Sequence, residues 1–270
     1  MFATYDFTDA RRLLLAGDIH GTLPALINGL SRVDFDAGKG DQLILLGDLL
    51  DRGPDVLAIH DWLKDNPATL LVRGNHDDFL IKVCGLEPQN QYVNAYNFIR
   101  NGGKWIADFV HGANDIGEAF SILCSSAPME EVIDPRIMDF ARYLARAPIA
   151  IEASTPAGAT VGLVHGDVPG GDWTDFSAKL QDGQGHLAFD AMWTRNRFER
   201  AQAARRSSEK ATDINVGGID HVFFGHSITP DILTCKNCTW IDTGAYRTGQ
   251  LAVIDADDFA KSASPSRCAA

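Results

Sequence analysis

Carboxylate, imidazole and amide side chains recur in five short motifs, most of which follow apolar runs of the chain. In order, the motifs are GDIHG at 17–21, GDLLDRG at 47–53, GNHD at 74–77, HGD at 165–167 and GHS at 225–227. Such a set of side chains can hold two divalent metal ions side by side. A metal pair suits the hydrolysis of a phosphate ester, because it can stabilise both the attacking and the leaving oxygen. A single Gly-Asp pair is common in turns, but the complete series in this order predicts a dimetal site.

The first ion is expected to bind residues from the two N-terminal motifs. Asp18 and His20 are two residues apart just past an apolar run. In extended backbone, side chains at i and i+2 share a face, so this spacing suits chelation of one ion. Asp48, in the second motif, has two carboxylate oxygens and could therefore bridge both ions.

The second ion is expected to share Asp48 and to take three further ligands. Asn75 offers a neutral amide oxygen, and the late residues His165 and His226 would complete the shell. Mixed oxygen and nitrogen ligands favour manganese, iron, zinc or nickel over calcium, which prefers oxygen ligands alone. We therefore expect two divalent ions as cofactors. Donor softness alone does not select among these metals, and our first choice is Mn²⁺, with Fe, Zn or Ni as the alternatives.

A proton donor accompanies the expected ligands. His76 follows Asn75 directly, so we expect it to lie beside the ions without a need to bind them. If Asp51 accepts a hydrogen bond from one of its ring nitrogens, the tautomer is fixed. His76 can then act as the general acid that protonates the leaving oxygen. The alternative is that His76 only packs beside the ligands or orients them.

Three arginines are candidates for binding the phosphate group. Arg52 and Arg73 flank the proposed site, and Arg195 comes from a distant part of the chain. A guanidinium can bind two phosphate oxygens at once in a fork, which lysine cannot do. Arg73 has an alternative role, because it could brace the site through carboxylates instead.

The first third of the chain predicts an alternating β-α-β-α-β pattern. Apolar runs at 12–16, 43–46 and 70–72 are each bounded by glycine, which is typical of strands that are buried on both faces. Helical patterns lie between them, with Pro24 and Pro54 at their starts. Strands that alternate with helices imply a parallel sheet, and ligands that follow such strands meet at one edge of it.

Residues 79–148 interrupt this alternation, and their pattern predicts a mainly helical insertion, with one helix within 134–147. The insertion is expected to cover the metal edge or to pack beside it. In the second half, strands are expected at 160–164, 221–224, 240–241 and 251–254, with a tight turn at 235–238. The segment 199–212 is polar and is expected to be a solvated loop or helix.

The composition predicts one globular domain spanning 1–270, since hydrophobic residues make up 45% of the chain and charged residues 22%. The net charge of −12 argues against a nucleic-acid partner, because such binders usually present a basic face. No apolar run is long enough for a membrane helix and no signal peptide is visible, so we expect a cytoplasmic protein. The five cysteines are expected to be reduced thiols, and a zinc site at Cys235 and Cys238 is disfavoured.

Taken together, the motifs resemble those of the calcineurin-like metallophosphoesterases, and more narrowly those of the bacterial and bacteriophage branch of the phosphoprotein phosphatase family. The segments that carry the resemblance are GDIHG (17–21), GDLLDRG (47–53), RGNHD (73–77), NGGKW (101–105), HGD (165–167), MWTR (192–195), GHS (225–227) and IDTGA (241–245). The match covers roughly residues 12 to 255, and the first three motifs are specific in combination.

The resemblance implies an α/β fold with a central β-sandwich, flanked by helices, and a dimetal site at one sheet edge. It also implies a role for each motif residue. The implied ligands are Asp18, His20 and Asp48 for the first ion, and Asp48, Asn75, His165 and His226 for the second. The implied catalytic residues are His76 with its partner Asp51, and Arg52 and Arg195 at the phosphate, with Arg73 nearby.

The resemblance implies hydrolysis of phosphate monoesters by a metal-bridging hydroxide, with His76 as the general acid. The favoured function is a serine/threonine protein phosphatase, whose partner is a phosphorylated protein or a small phosphoester. Asp51 supports it, because symmetrical diadenosine tetraphosphate hydrolases usually lack this residue. Those hydrolases are the first alternative, since Asp77 replaces the glutamate of most protein phosphatases. The second alternative is a non-catalytic metal-bearing scaffold. A scaffold would have no reason to keep a general acid and phosphate-binding arginines.

Overall fold

The computed structural model describes residues 1–87, 90–206, 213–260 and 268–269, and its strands form two sheets. In chain order the strands are β1 (Phe2–Asp6), β2 (Arg12–Ala16), β3 (Asp41–Leu45), β4 (Leu70–Leu71), β5 (Ala150–Ser154), β6 (Thr160–Val164), β7 (His221–Phe224), β8 (Leu233–Cys235), β9 (Cys238–Trp240), β10 (Val253–Asp255) and β11 (Cys268–Ala269).

The helices flank these sheets. The α-helices are α1 (Leu23–Arg32), α2 (Val56–Asp65), α3 (Asn75–Val83), α4 (Gln91–Arg100), α5 (Ile116–Leu123), α6 (Met129–Val132), α7 (Pro135–Leu144), α8 (Trp173–Gln181), α9 (Gly185–Trp193), α10 (Asn196–Arg206), α11 (Ala245–Thr248) and α12 (Ala256–Ala260). Short 3₁₀ helices lie at Ala37–Lys39, Gly103–Phe109 and Pro169–Gly171.

The smaller sheet has the strand order β10-β2-β3-β4. Strands β2, β3 and β4 are parallel, with Arg12 opposite Asp41 and Ile44 opposite Leu70. Helices α1 and α2 connect them, so the predicted β-α-β-α-β pattern is confirmed. Because these three strands run in the same direction, their carboxyl ends lie at one edge of the sheet.

The larger sheet has the order β1-β5-β6-β7-β9-β8-β11. Strands β6 and β7 lie where they were predicted, and β8 and β9 enclose the predicted tight turn at 235–238. Strands β1 and β5, which pair in parallel from Phe2 opposite Ala150, were not predicted. The sequence of β1 gives no clear apolar alternation, and β5 (AIEAS) is poor in β-branched and aromatic residues, so neither has a strong strand signal.

The two sheets pack face to face around a mainly apolar layer. Leu13 and Leu15 of β2 and Ile44 of β3 belong to one buried cluster with Ile151 of β5 and Phe223 of β7. Side chains two residues apart share a face of a strand, so each sheet presents one apolar face to the other. The β-sandwich implied by the resemblance is therefore confirmed.

Helices cover the outer faces of both sheets. On the smaller sheet, Leu14 clusters with Leu26 of α1 and Ile59 of α2. On the larger sheet, Phe224 clusters with Trp173 and with its neighbours on α8. The layers therefore follow the order helix, sheet, sheet, helix, and the inner strands are buried on both sides, as their apolar runs indicate.

Within 79–148, the described residues are mainly helical, and residues 88–89 lie outside them. The insertion contributes to the buried cluster that contains Leu14 of β2. Its members there include Phe98 of α4, and Ile137 and Phe140 of α7. The helix predicted within 134–147 is α7. In the polar segment 199–212, α10 continues to residue 206, and residues 207–212 lie outside the described part of the chain.

Cys84, Cys124 and Cys238 are free thiols. Cys235 is disulfide-bonded, so the prediction of reduced thiols is wrong at this residue. Among the described residues, none of the helices combines the length and the hydropathy that a membrane span requires.

Ion pairs between the buried carboxylate of Asp41 and two partly exposed arginines hold the first residues of β2 and β3 together. The carboxylate of Asp41 accepts hydrogen bonds from Nε of Arg11 and from Nη2 of Arg12, both at 2.7 Å. Burial opposes the ionisation of Asp41, but the two guanidinium groups outweigh it and hold the pKa of this carboxyl well below its ordinary value.

Asp41→Asn should lower the free energy of unfolding by about 2 kcal/mol at pH 7, because two partly buried cations lose their shared partner. Since the folded pKa is lowered, this stabilisation is present above the ordinary pKa of 3.8 and is lost as the pH falls toward the folded value. Urea titrations at pH 7 and pH 3 would measure it. Asp36→Asn, at the exposed pair with Lys39, is the control and should change little. Equal effects of the two substitutions would contradict the prediction.

Candidate dimetal site

Each predicted ligand follows a strand that ends at one edge of the sandwich. Asp18 follows β2, Asp48 follows β3, His165 follows β6 and His226 follows β7. Asn75 is the first residue of α3, which begins soon after β4. Because these strand ends converge, residues as far apart as Asp18 and His226, which are 208 positions apart, form a hydrogen bond.

Asp48 lies at the centre of the resulting cluster. Its Oδ2 atom is 3.5 Å from Nε2 of His20, and its Oδ1 atom is 3.3 Å from Nε2 of His165. Asp48 also belongs to two groups whose candidate ligand atoms lie within 4.8 Å of one another, one with His20 and His76 and the other with His165 and His226. A carboxylate that is shared by two such groups suits the predicted bridging position.

The remaining predicted ligands surround this carboxylate. Both oxygens of Asp18 accept hydrogen bonds from the backbone N–H of His226, at 3.0 and 3.1 Å. Oδ2 of Asp18 lies 4.0 Å from Nε2 of His20. The amide oxygen of Asn75 is 3.1 Å from Nε2 of His165. The structure thus brings all the predicted metal ligands together.

Backbone carbonyl groups fix which ring nitrogen of each histidine ligand faces the cluster. Nδ1 of His20 donates to the carbonyl of Leu50 at 2.9 Å, and Nδ1 of His165 donates to that of Leu46 at 2.6 Å. His226 donates through Nε2 to a backbone carbonyl at 3.1 Å. A carbonyl can only accept, so in the neutral rings the opposite nitrogen keeps its lone pair, as a metal ligand requires.

Two glycines leave the space that the carboxylates occupy. A Cβ atom at Gly74 would lie 2.2 Å from Oδ1 of Asp48, and one at Gly225 would lie 2.3 Å from Oδ1 of Asp18. Several site residues also adopt left-handed backbone that costs free energy for side chains other than glycine. Those with positive φ are His20, Asp48, Asp51, Arg52 and His226. The chain therefore turns sharply at this edge in order to direct several polar groups to one point.

The cluster is electrostatically costly on its own. Burial, followed by the charge of Asp242, raises the pKa of Asp18 well above its ordinary value. Burial opposes protonation of His165, but the charges of Asp48 and Asp18 outweigh it and raise its pKa to about 10. Burial lowers the pKa of His20 to about 3. Several carboxylates in one dry site therefore require positive charge.

One buried oxygen beside these ligands has no protein donor. Oδ1 of Asp242 accepts from the backbone N–H of Gly244 at 2.8 Å, whereas Oδ2 has no hydrogen-bond partner within the described residues. Asp242 is 1% exposed, and buried polar atoms are seldom left unpaired. An unpaired carboxylate oxygen next to a set of nitrogen and oxygen ligands fits a site that binds cations.

The predicted acid lies beside the cluster with the predicted partner. Nδ1 of His76 is 2.6 Å from Oδ2 of Asp51. The other oxygen of Asp51 accepts a hydrogen bond from Nε1 of Trp105 at 2.7 Å, and Asp51 is fully buried. Asp51 therefore fixes the ring of His76, and Trp105 fixes Asp51. Nε2 of His76 points toward the cluster, 4.0 Å from Asp48.

Arg52 spans the first metal group. Its Nη1 and Nη2 atoms donate to Nε2 of His20 at 2.8 Å and to Nε2 of His76 at 3.0 Å. Its Cζ atom lies 4.7 Å from the ring centre of Tyr246, a distance at which the ring face attracts the cation. The guanidinium is thus held where it can bind a phosphate oxygen near the acid.

The other two arginines differ in their surroundings. Nη2 of Arg195 lies 3.3 Å from the backbone carbonyl oxygen of His226, beside the second metal group. Arg73 was predicted in the catalytic set, but its guanidinium donates to Glu87 at 2.8 Å and to the backbone carbonyl of Ala145 at 2.7 Å. These contacts fit the alternative role of Arg73 as a brace, and its place in the catalytic set stays a prediction.

Asp77 has a structural role that sequence reasoning missed. Its carboxylate accepts hydrogen bonds at 2.9 to 3.0 Å from the backbone N–H groups of Asp48, Leu49 and Gly74. It thereby joins the loop after β3 to the start of α3. An acidic residue at the third position of a helix is a known cap signal, so the sequence contained this information. The contact between Trp105 and Asp51 had no comparable signal, because the two residues lie 54 positions apart.

The family profile described as calcineurin-like phosphoesterase matches residues 11–230, which include all the ligands described above. The chain therefore belongs to the calcineurin-like phosphoesterase family. It is a metal-dependent phosphoric ester hydrolase, and the resemblance drawn from its motifs is confirmed.

Two curated relatives and one solved structure illustrate these similarities. The chain is 26% identical to serine/threonine-protein phosphatase 1 of Salmonella typhimurium over 243 residues, which cover 90% of this chain and 91% of that protein. It is 36% identical to the symmetrical bis(5'-nucleosyl)-tetraphosphatase of Coxiella burnetii, but over 35% of this chain and 32% of that protein. A structure assigned to a diadenosine tetraphosphatase has a TM-score of 0.58 at 19% identity, covers 96% of this chain and 94% of its own, and supports the fold alone.

Asp48→Asn should abolish tight binding of the second ion and weaken binding of the first. The substitution removes the charge of the carboxylate that both groups of candidate ligands share. Isothermal titration with Mn²⁺ would measure the stoichiometry. Mn²⁺ should raise the Tm of the wild-type chain and not that of the variant. Two ions bound with wild-type affinity by Asp48→Asn would contradict the bridging position.

Trp105→Phe should lower kcat by about 10-fold while metal binding is retained, since it deletes one hydrogen bond to the buried carboxylate that orients His76. Hydrolysis of a phosphoserine peptide across pH would measure this, because its alkoxide leaving group needs the proton that His76 supplies. Trp62→Phe, on α2, removes the same indole N–H away from the site and is the matched control. The assignment of Trp105 as the residue that fixes Asp51 fails if both variants lose activity equally or if neither does.

Proposed function

We propose that this chain is a serine/threonine protein phosphatase that hydrolyses phosphate monoesters at the Asp48-centred cluster. The observation that carries the proposal is the pairing of His76 with Asp51 next to a cluster of metal ligands and beside Arg52. This arrangement places a proton donor, a phosphate-binding cation and candidate ligands within contact of one another. The similarity to curated serine/threonine-protein phosphatases over 90% of the chain supports the choice of substrate.

The predicted ligands suit two divalent cations, which would supply an activated water molecule and would neutralise charge on the phosphate. Asp18, His20 and Asp48 would hold one of them. Asp48, together with Asn75, His165 and His226, would hold the other. The mixed imidazole and carboxylate donors suit Mn²⁺, Fe, Zn and Ni alike. We propose Mn²⁺, with the other three as alternatives.

The chain's own residues would perform the remaining steps. Arg52 and Arg195 would bind the non-bridging oxygens and hold the phosphorus in line for attack. His76 would act in its charged form, in which Nε2 carries the proton that passes to the leaving oxygen. In that form Nε2 no longer accepts the hydrogen bond from Arg52. Asp51 accepts the hydrogen bond from Nδ1, which orients the ring and stabilises it when it is charged. No covalent phosphoenzyme is required, because none of these groups needs to act as a nucleophile.

Symmetrical hydrolysis of diadenosine tetraphosphate is the second candidate function. The observation in its favour is the local identity of 36% to a symmetrical tetraphosphatase. The aspartate at position 77 gives this function less support than its residue type alone suggests. Because the Asp77 carboxylate binds backbone N–H groups, the replacement of glutamate by aspartate changes a loop contact and leaves the ligand set unaltered.

The proposal extends to the domain organisation, the location and the partners of the protein. We propose a single domain with the 79–148 segment as a helical insertion, which the shared apolar cluster supports. We also propose a cytoplasmic location, with a phosphorylated protein or a small phosphoester as partner and neither nucleic acid nor membrane. The free thiols of Cys84, Cys124 and Cys238 favour a reducing compartment, whereas the disulfide at Cys235 does not.

His76→Asn should lower kcat on a phosphoserine peptide by about 10² to 10⁴-fold, because the leaving oxygen loses its acid, while two Mn²⁺ ions remain bound. Asparagine has a similar size and keeps a hydrogen-bonding group. His111→Asn, outside the cluster, is the matched control and should retain activity. Full turnover by His76→Asn would show that the acid assignment is wrong.

The substrate proposal predicts a higher kcat/KM for the phosphoserine peptide than for diadenosine tetraphosphate at equal Mn²⁺ concentration. Phosphate release and nucleotide chromatography would measure the two reactions with the same enzyme preparation. A marked preference for the dinucleotide would favour the second candidate function.

A further inference from the structure

Arg195 lies at the junction between two helices. Helix α9 ends at Trp193 and α10 begins at Asn196, so Arg195 occupies the N-cap position of α10. Its backbone carbonyl accepts the first hydrogen bond of that helix, from the N–H of Glu199 at 2.8 Å. Within the described residues, its guanidinium forms hydrogen bonds to His226 alone, at 3.3 and 3.4 Å. The side chain therefore keeps donors for a phosphate group, but few contacts of its own fix its position.

An arginine at the N-cap leaves the first N–H groups of the helix without their usual acceptor. An N-cap side chain normally accepts from the second or third helical residue, and a guanidinium has no acceptor atom. Asp167, in the loop after β6, takes this role instead. Its Oδ2 atom accepts a hydrogen bond from the backbone N–H of Arg197, the second residue of α10, at 3.1 Å. The positive end of the helix dipole also favours a carboxylate at this place.

The side chain of Arg197 makes this cap rigid. Its Nε atom donates to Oδ1 of Asp167 at 2.9 Å. Its Nη2 and Nη1 atoms donate to the backbone carbonyls of Val168 at 2.9 Å and of Ile214 at 2.6 Å. Asp167 is 5% exposed and Arg197 is 6% exposed, so both charges are buried and depend on each other. The pair thus locks the first turn of α10 to the loop after β6.

The same loop also holds the end of α9. The backbone N–H groups of Gly166 and Asp167 donate to the carbonyl of Ala191 in α9, at 2.6 and 3.2 Å. His165, a predicted ligand of the second ion, lies two residues before Asp167. One loop therefore bears an ion ligand and fixes the chain on both sides of the N-cap arginine.

The other histidine ligand of the second ion contacts this junction as well. Nε2 of His226 donates to the backbone carbonyl of Trp193, the last residue of α9, at 3.1 Å. Arg195 is thus held between a carbonyl that His226 binds and a helix turn that Asp167 caps. These contacts relate the position of its guanidinium to that of the second ion.

We propose that Asp167 and Arg197 are positioning residues that hold Arg195 where it binds the phosphate group. The proposal rests on the proposed function in one respect, namely that Arg195 is a phosphate-binding residue. The pair acts through Arg195 and contacts neither the substrate nor the ions. Its loss should therefore weaken the binding of phosphate while the metal ligands remain in place.

Arg197→Lys and, independently, Asp167→Asn should raise the Kd of inorganic phosphate for the Mn²⁺-loaded enzyme by about 10-fold. The reason is that a displaced guanidinium loses charge-assisted hydrogen bonds to the anion. Lysine keeps the charge of Arg197 but not its fork of donors. Isothermal titration would measure this Kd, and a separate titration should show Mn²⁺ binding as in the wild type. Asp41→Asn is the matched control for lost stability. It also removes a carboxylate from arginine partners, and it should leave the phosphate Kd unchanged.

A double-mutant cycle distinguishes positioning from a general structural role. In an Arg195→Ala background, Arg197→Lys should cause no further rise in the phosphate Kd, because the residue that it positions is absent. In an Arg52→Ala background, the same substitution should keep its full effect. Effects that multiply in the Arg195→Ala background would overturn the proposal. An unchanged phosphate Kd in Arg197→Lys, or in Arg195→Ala itself, would overturn it too.

The outcomes also separate this inference from the proposed function, because inorganic phosphate is common to both candidate reactions. The expected cycle in an enzyme that prefers diadenosine tetraphosphate to a phosphoserine peptide would support the positioning pair and contradict the protein phosphatase. A preference for the peptide with no effect of Arg197→Lys on the phosphate Kd would contradict the positioning pair alone.

Discussion

The burial of the Asp48 carboxylate is the constraint on which the rest of the site depends. An unpaired charge in a dry environment is costly, so the carboxylate needs several donors or cations around it. Imidazoles from the two sheets lie 3.5 and 3.3 Å from its oxygens, and the backbone N–H of His76 donates to it at 2.9 Å. The same short distances that satisfy Asp48 make it accessible to two ions at once. The convergence of the parallel strand ends at one edge of the sandwich brings these partners to Asp48.

Such a convergence is achieved through strained backbone that the surrounding structure holds in place. Asp48 and His226 adopt positive φ. A side chain in place of Gly74 or Gly225 would collide with the carboxylates of the cluster. Left-handed backbone costs free energy in isolation, so these turns must be over-determined by other contacts. The three backbone hydrogen bonds of Asp77 supply part of this restraint, and the apolar layer between the sheets keeps the strand ends fixed.

Local patterns in the sequence predicted what depends on local physics. The apolar runs before Gly17 and Gly47 gave the parallel strands, and the motifs after them gave the ligands, because glycine and polar residues at strand ends leave a direct signal. Contacts between distant segments left no such signal. Trp105 reaches Asp51 across 54 positions, and the spacing of the motifs does not reveal that the guanidinium of Arg73 forms an ion pair with Glu87. The sandwich itself followed from the family resemblance, since alternation alone implies a sheet and not its partner.

The site also couples the two sheets in a way that their apolar layer does not. His165 follows β6 of the larger sheet, yet its Nδ1 donates to the carbonyl of Leu46 at the end of β3 in the smaller sheet, at 2.6 Å. The backbone of His226 likewise binds Asp18 across the same junction. Ions held by Asp18, Asp48, His165 and His226 would therefore join residues from both sheets while relieving the repulsion among the carboxylates. Metal binding to such a site adds to the free energy of folding as well as to the chemistry, because the ligands come together only in the folded sandwich.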